Sequence, residues 1–352
     1  MNNNLNIYNH NKTIKKDVMM KALVCKDFGP IDNLVWEEVT DPTPKNGEVV
    51  VDIKAAALNY PDNLIVKGLY QFKPNFPFSP GSEGAGIVSA VGENVHDFKI
   101  GDKVSFICQW GSFAEKISIN HKQLIKIPEN INFELASATQ LTYGTSYHAL
   151  IQRGRLKVED EILILGCSGG VGLAALDIAK AYNVRVVAGV SSEEKADLCK
   201  QYGADEVVIY GSKKLDIEDQ KELTKALKEK SIKGGFDIIY DPIGDCYTEP
   251  ALRSINWKGR YLVVGFAAGD IPKIPLNLAL LKGCEIVGIF WGVFTGYEPK
   301  QNINNIIEIG KMISSNKIKP FISKKLPMEN AAEAIQMIGE RKVLGKVVLI
   351  NK

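Results

Sequence analysis

The stretch LGCSGGVGLAALDIAK, residues Leu165–Lys180, decides the fold of the second half of this chain. It follows the apolar run EILIL and opens an apolar helical pattern, with Gly169, Gly170 and Gly172 at the junction. A strand, a glycine loop and a helix in this order are typical of a dinucleotide-binding βαβ unit. Glycines let backbone N–H groups approach a pyrophosphate, and the helix N-terminus adds partial positive charge. The stretch therefore predicts a phosphate-binding loop in a parallel sheet.

One position departs from the usual G-x-G-x-x-G pattern. Cys167 stands where the first glycine is expected, and we expect its thiol to lie close to the pyrophosphate. A small side chain fits this turn if φ stays negative. We predict that Ser168, Gly169, Gly170 and Val171 contact the dinucleotide. A tight β–α turn without a ligand is the alternative.

The tip of the next strand bears on the choice between NAD and NADP. An NAD site needs an Asp or Glu at this tip for the ribose hydroxyls. The sequence here is AGVSSEEK, which offers Ser191, Ser192 and Lys195 instead. Hydroxyl and ammonium groups can donate to a 2′-phosphate, so Ser191 and Lys195 favour NADP. A helix capping box formed by Ser191 and Glu194 is a second interpretation, compatible with the first.

The flanking sequence divides into two patterns. From Met20, short strands such as EVVVDIKAAAL are separated by glycine and proline turns, which favours a curled antiparallel β unit. From about Leu141, apolar runs such as VRVVAGV and FDIIYD alternate with helical stretches. That alternation predicts a doubly wound α/β sheet. The closing run GKVVLI has no helix after it, so we expect the tail to return to the first unit.

Length and composition limit the classes of function. A chain of 352 residues suggests two domains, and a net charge of +2 argues against nucleic acid or an anionic membrane as the main partner. No apolar run reaches the ~18 residues that span a bilayer. Six cysteines without a C-x-x-C pair or a secretory signal predict reduced thiols in a cytoplasmic protein. The Asn- and Lys-rich residues 1–19 are interpreted as a disordered leader or as sequence upstream of the true start.

A family resemblance emerges from several segments taken together. They are NYPDNLIVKGLYQFKPNFPFSPGSEGAGIVSAVG, LTYGTSYHAL, GCSGGVG, VSSEEK, GADEVVIY, VVGFAAG and GIFWGVF. In this order and spacing, they resemble the quinone oxidoreductase branch of the medium-chain dehydrogenase/reductase superfamily. The resemblance implies a GroES-like β-rich domain over 20–142 and 292–352 and a Rossmann domain over 143–291, with a cleft between them. It also implies a homodimer joined through the last Rossmann strand, Cys284–Phe290.

The resemblance bears on metal binding as well. Zinc-bearing relatives carry a Cys and a His where this chain has Asn59 in NYPD and Ser82 in GSE. Amide and hydroxyl groups are poor Zn²⁺ ligands, and the four clustered cysteines of a structural zinc lobe are absent from the sequence. We therefore expect no metal, and a zinc alkoxide mechanism loses its Lewis acid.

The resemblance also implies site residues. Asn59 and Tyr70 match residues beside the nicotinamide and the acceptor, and Tyr70 matches a proposed proton donor of related enoyl thioester reductases. For Asn59 a turn residue, and for Tyr70 a packed aromatic, is the alternative. Further residues match positions near the cofactor: Thr145, for which a helix N-cap is the alternative, Tyr210, Phe266, Ala267, Ala268 and Lys346.

Three functions remain open at this stage. The leading one is NADPH-dependent, zinc-independent reduction of quinones by hydride or electron transfer, since the cofactor brings the hydride and the protein orients the reactants. The second is NADPH-dependent reduction of activated C=C bonds in 2-alkenals or enoyl thioesters. The third is not enzymatic: some relatives are structural proteins or bind AU-rich RNA. The low charge and the lack of an arginine-rich stripe argue against RNA binding.

Overall fold

The structure is a computed structural model that describes residues 18–352. The predicted leader, residues 1–19, therefore lies outside the described residues except for its last two positions. Met19 begins the first strand, where it is paired with Thr40. The first strand thus starts one residue before the predicted boundary at Met20.

The N-terminal part is β-rich, as predicted. Its strands are β1 (Met19–Val24), β2 (Val35–Thr40), β3 (Glu48–Ala57), β4 (Glu83–Val91), β5 (Lys103–Ile107), β6 (Lys116–Asn120) and β7 (Leu124–Lys126). Its helices are α1 (Tyr60–Val66), α2 (Phe133–Ser137) and α3 (Gln140–Tyr147), the last continued by a wider π-helical turn over His148–Arg153. Strand β3 is central because it pairs with both β4 and β6, and alternate β3 side chains enter the domain core. The packing is that of a GroES-like domain.

The second part is the predicted doubly wound sheet. Its strands are β8 (Glu161–Leu165), β9 (Arg185–Val190), β10 (Glu206–Ile209), β11 (Phe236–Asp241), β12 (Ile255–Val263) and β13 (Glu285–Gly288). Its helices are α4 (Gly170–Ala181), α5 (Glu193–Gln201), α6 (Ile217–Lys230), α7 (Thr248–Arg253) and α8 (Asn277–Lys282). All pairs are parallel in the order β10-β9-β8-β11-β12-β13, with apolar clusters on both faces, which is a Rossmann arrangement.

The C-terminal tail returns to the first domain. It contains α9 (Trp291–Tyr297), α10 (Pro299–Ser314), β14 (Ile322–Pro327), α11 (Ala331–Gly339) and β15 (Lys346–Ile350). Strand β15 pairs with β3 and extends the β-rich sheet, and β14 lies beside β15. Helix α10, however, packs its apolar face on the Rossmann core through Ile306 and Ile309. The expected boundary at residue 292 therefore precedes the point where packing changes, because this amphipathic helix covers α3.

No described helix is both long and apolar enough to cross a membrane.

Candidate cofactor and acceptor site

The glycine loop makes a tight turn one residue earlier than its sequence pattern indicates. Gly166 has φ +56°, and a Cβ there would lie 2.6 Å from the Ile243 Cγ2 atom. Gly166 therefore provides the turn that the missing fingerprint glycine would make, which explains why Cys167 is tolerated. The Cys167 side chain is fully buried in the Rossmann core, so its thiol lies inside the protein, contrary to expectation. Burial raises the pKa of this thiol.

The remaining glycines hold helix α4 against the loop. Gly169 is the N-cap of α4, and a Cβ on Gly172 would lie 2.4 Å from the Gly166 carbonyl oxygen. A Cβ on Gly170 would meet Thr142 and the Lys346 side chain at 3.1 and 3.2 Å. Glycine at these positions thus permits the close contact of helix, strand and loop that a pyrophosphate cradle needs.

The loop is supported from two sides. The Tyr210 hydroxyl accepts a hydrogen bond from the Gly166 amide at 3.2 Å, and its ring packs at a tilt of 45° against Tyr247 with centroids 4.6 Å apart. On the other side, the Gly345 amide donates to the Ser168 carbonyl at 2.8 Å. Gly345 precedes β15, so the β-rich domain contacts the loop directly.

A basic cluster lies at the tip of β9. The Lys195 ammonium donates to the Ser191 hydroxyl at 2.9 Å and to the Arg341 carbonyl at 3.4 Å. Ser192, not Ser191, caps α5 by accepting from the Lys195 amide, so the predicted capping box of Ser191 and Glu194 is not formed. Partial burial and the nearby Arg341 guanidinium lower the pKa of Lys195. Two cations and a hydroxyl in this arrangement suit a phosphate group.

The Rossmann loop over residues 266–268 contacts the β-rich domain through hydrogen bonds. Phe266 is exposed, and the Ala267 carbonyl accepts a hydrogen bond from the Tyr60 hydroxyl at 3.5 Å. The Ala268 carbonyl accepts one from the Arg341 guanidinium. Tyr60 and Arg341 both belong to the β-rich domain. We call this region, where Tyr60, Arg341 and Gly345 contact the Rossmann loops, the domain junction.

A buried charged cluster lies beside the domain junction. The Lys346 ammonium donates to the Glu83 carboxylate at 2.6 Å, to the Asn59 side-chain oxygen at 2.7 Å and to the Leu58 carbonyl at 2.8 Å. The Asn59 amide group donates to Glu83 at 2.9 Å. Lys346, Glu83 and Asn59 are each at most 5% exposed. The ammonium of Lys346 is therefore held inside the β-rich domain, and only its stem contacts the glycine loop at Gly170.

Two predicted residues lie near this buried cluster. Asn59 caps α1, since its backbone amide donates to the Asp62 carboxylate at 2.7 Å and its side chain faces the Asp62 amide. Asn59 is therefore a helix cap and a member of the buried network at once. Tyr70 is half-buried, packs on the β-rich core, and its pKa is raised by burial and by the Asp62 carboxyl.

Thr145 and Val171 lie between the domains. Thr145 is buried within α3, whose N-cap is Thr139, so the alternative of an N-cap role for Thr145 is wrong. Val171, in the first turn of α4, accepts a hydrogen bond from the Ser146 hydroxyl through its carbonyl at 2.8 Å. Helices α3 and α4 thus contact each other next to the glycine loop.

Comparison with known proteins identifies the family. The family model described as an alcohol dehydrogenase GroES-like domain matches residues 45–129, and the one described as a zinc-binding dehydrogenase matches residues 170–308. Human quinone oxidoreductase is 32% identical over 340 residues, covering 94% of this chain and 98% of the relative. The chain belongs to the quinone oxidoreductase branch of the medium-chain dehydrogenase/reductase superfamily. It is therefore an oxidoreductase.

Other members of this branch agree over nearly the whole length. A quinone oxidoreductase-like protein 2 homolog of Nematostella vectensis is 32% identical over 336 residues, covering 94% of this chain and 89% of the relative. The structure of Escherichia coli quinone oxidoreductase complexed with NADPH is similar with a TM-score of 0.84 at 27% identity, covering 95% of this chain and 100% of that one. The family and fold predicted from sequence are confirmed.

Sequence reasoning missed three residues of the site of this oxidoreductase. Arg341 follows α11 by two residues and reaches the β9 tip only through the fold, so no local pattern identifies it. Glu83 and Asp62 stand in the GSE and NYPD motifs, directly beside or close to Ser82 and Asn59. Two acidic residues in otherwise apolar segments were the available signal, because a buried acid needs a partner.

Proposed function

We propose that this chain is an NADPH-dependent reductase that transfers a hydride to quinones without zinc. The observation that carries the proposal is the cluster of Ser191, Lys195 and Arg341 at the tip of β9. An acidic residue at this place would accept hydrogen bonds from the ribose hydroxyls of NAD. The cluster instead presents hydrogen-bond donors and positive charge, which suit a phosphate group.

The residues present fit the rest of the cofactor. Glycine at positions 170 and 172 lets the loop and its neighbours pack closely around the N-terminus of α4, which faces the loop. Ser168, Gly169, Gly170 and Val171 would hold the pyrophosphate, and Phe266 with Ala268 would flank the nicotinamide. The Tyr210 hydroxyl supports the loop at the Gly166 amide, Thr145 would lie near the cofactor, and the Lys346 stem packs against Gly170. Bound NADPH supplies the hydride, and the protein orients it and excludes water.

The donor set does not fit zinc. The Asn59 side chain is occupied by Glu83 and Lys346, and Ser82 offers only a hydroxyl. The Lys346 ammonium lies against the Glu83 carboxylate at this place, and a second cation beside it would be repelled. Among residues 18–352 no group of three or more His, Cys, Asp and Glu side chains is placed to bind a metal. Quinones suit this arrangement because they accept hydride without a Lewis acid.

A titration tests the cofactor and a screen tests the acceptor. Nicotinamide fluorescence should show that NADPH binds at least about tenfold more tightly than NADH, in line with one charge-assisted phosphate contact. Equal affinities would contradict the role of Ser191 and Lys195. NADPH oxidation is then measured with 1,4-benzoquinone, 9,10-phenanthrenequinone, crotonyl-CoA and 2-hexenal. Turnover of only the last two would favour reduction of activated C=C bonds.

Tyr70→Phe should slow turnover of crotonyl-CoA and 2-hexenal more than turnover of the quinones, because only the first two need a proton from the Tyr70 phenol.

We include a homodimer and a cytoplasmic location in the proposal. Strand β13 is the edge of the Rossmann sheet, and Ile286 and Phe290 are 39% and 48% exposed there. An open apolar edge favours pairing with a second copy. Ile286→Lys should give a monomer in light scattering, and an unchanged mass would contradict this interface. The six cysteines are free, as expected in a reducing compartment.

A further inference from the structure

Asp62 is a buried acid to which the proposed function assigns no role. It lies in the first turn of α1 and is 2% exposed. The same turn begins with Tyr60, which contacts Ala267 at the domain junction. Asp62 therefore follows, by two residues, the residue that contacts the loop that would flank the nicotinamide.

The charges around Asp62 balance only if this carboxyl holds a proton. Lys346 is the cation of the buried cluster, and its hydrogen bonds go to Glu83, Asn59 and Leu58. One Asp62 oxygen accepts only the Asn59 backbone amide, a neutral donor. Cys108 and Tyr70 are also close to it, and both thiol and phenol have raised pKa values, so both stay neutral and neither adds a charge. Two carboxyls thus share one ammonium in a buried site, which favours the neutral form of the second.

The pKa of Asp62 agrees with this charge count. Burial raises it to about 7, with the Glu83 carboxylate acting in the same direction and Lys346 in the opposite one. A group with this pKa is about half protonated at neutral pH and releases its proton readily, as a general acid must.

Ser82 directly precedes β4, and its side chain is close to the Asp62 carboxyl. Its hydroxyl faces the Asp62 carboxyl but makes no hydrogen bond of normal geometry to any described residue. Ser82 is 8% exposed, so this is an unpartnered polar group in a mostly dry site. Such a hydroxyl costs free energy unless a partner arrives, and a ligand oxygen is a suitable partner.

We propose that Asp62 and Ser82 deliver the proton that the reduced acceptor needs, an inference that rests on the proposed quinone reduction. Hydride addition to a quinone leaves one negative oxygen. The Ser82 hydroxyl donates its proton to that oxygen, and its Oγ takes the proton of the Asp62 carboxyl. One O–H bond breaks and one forms at each transfer. Asp62 is left as a carboxylate and regains a proton from solvent after the product leaves. Ser82 contacts the substrate, and Asp62 acts through it.

The pH dependence of turnover tests the delivery step. In the wild type, kcat with 1,4-benzoquinone should fall about tenfold per pH unit above pH 7, because the acid loses its proton there. Asp62→Asn keeps an oxygen for the Asn59 amide, so α1 should still form. This variant should lower kcat at pH 6 about 10- to 100-fold and remove the pH dependence, with unchanged NADPH affinity. Ser82→Ala should behave alike, and Ser82→Thr, which keeps the hydroxyl, should restore most of the activity.

A matched control separates this role from burial of an acid as such. Asp177 is also a buried carboxyl with a raised pKa, but it bonds the Tyr143 hydroxyl and the Lys319 amide away from the junction. Asp177→Asn should leave the pH profile of kcat unchanged. Infrared spectra supply a readout without turnover: the wild type at pH 6 should show a protonated-carboxyl band that Asp62→Asn lacks.

The outcomes distinguish the two proposals. An active Asp62→Asn variant with the wild-type pH profile, or the absence of its carboxyl band, overturns the inference and leaves the proposed function standing. A wild type that binds NADPH but reduces no quinone overturns the proposed function, and the delivery step falls with it.

Discussion

The β9 tip and the α1 N-terminus each combine a lysine with small polar side chains, but in opposite surroundings. At the β9 tip, Lys195 and Arg341 lie at the surface, next to Ser191 and without a bonded carboxylate. At the α1 N-terminus, Lys346 is 4% exposed and its ammonium is bonded to Glu83 and Asn59. One lysine is available for an external anion, whereas the other already has an internal one.

This difference predicts that the lysine at the β9 tip serves ligand binding and that the buried lysine serves the stability of the fold. Positive charge without an internal partner gains free energy when a phosphate binds, so we expect the β9 tip to contribute affinity and cofactor selectivity. A buried ion pair contributes no affinity, but removing one partner leaves a charge in a dry site. Mutation of Lys195 should therefore change cofactor binding, whereas mutation of Lys346 should change the free energy of unfolding.

The largest effect is expected in the buried cluster. Lys346→Met removes the cation of the Glu83 carboxylate and should lower the free energy of unfolding by about 3–5 kcal/mol. Urea denaturation measures it. Lys325→Met is the control, because Lys325 forms an exposed pair with Glu134 at 3.0 Å and should cost at most about 1 kcal/mol. Similar losses in both variants would contradict the contrast between buried and exposed lysines.

The glycine loop should give the next largest effect. Gly172→Ala places a Cβ 2.4 Å from the Gly166 carbonyl oxygen and should destabilise the protein by about 2–3 kcal/mol. Gly169→Ala is the matched control: its φ is −78° and its nearest atom would lie at 3.4 Å. Thermal unfolding compares the two. If both melt alike, the close packing at Gly172 is not needed.

At the β9 tip we expect a loss of affinity without a loss of stability. Lys195→Ala and Arg341→Ala should each weaken NADPH binding about 10- to 100-fold and leave NADH binding unchanged. Fluorescence titration measures both cofactors. Lys200→Ala is the control, because Lys200 lies on the same helix but is exposed beside Asp197. Equal loss for NADPH and NADH would show that these residues do not read the 2′-phosphate.

The smallest effect concerns the pH dependence of stability. The folded-state pKa of Asp62 is raised to about 7, so the folded protein holds a proton that the unfolded chain releases near its ordinary pKa. Stability is therefore lost as pH rises toward 7, and between pH 6 and 8.5 the loss should be about 1 kcal/mol. Asp62→Asn should remove this part. Denaturation at both pH values checks it, and an identical slope in the variant would contradict a raised pKa.

The sequence by itself determined the family, the two-domain fold and the NADP-type tip of β9. These depend on local patterns: apolar runs, glycine spacing and the missing acid all lie within a few residues of each other. It did not reveal that Gly166 makes the turn, since the close approach of Ile243 to this glycine arises only in the fold. Nor could it place helix α10, because an amphipathic pattern does not show which surface the apolar face of the helix packs against.

Only the tertiary structure decided which charges meet. Arg341 joins Lys195 from 146 residues away, and Lys346 meets Glu83 across 263 residues. Spacing along the chain cannot predict such pairs, because they depend on how the tail returns to β3. Burial then sets the chemistry. The Lys346 ammonium neutralises the Glu83 carboxylate, so Asp62 has no cation of its own and its pKa is raised. The physical reason is that a charge in a dry site is governed by its neighbours in space.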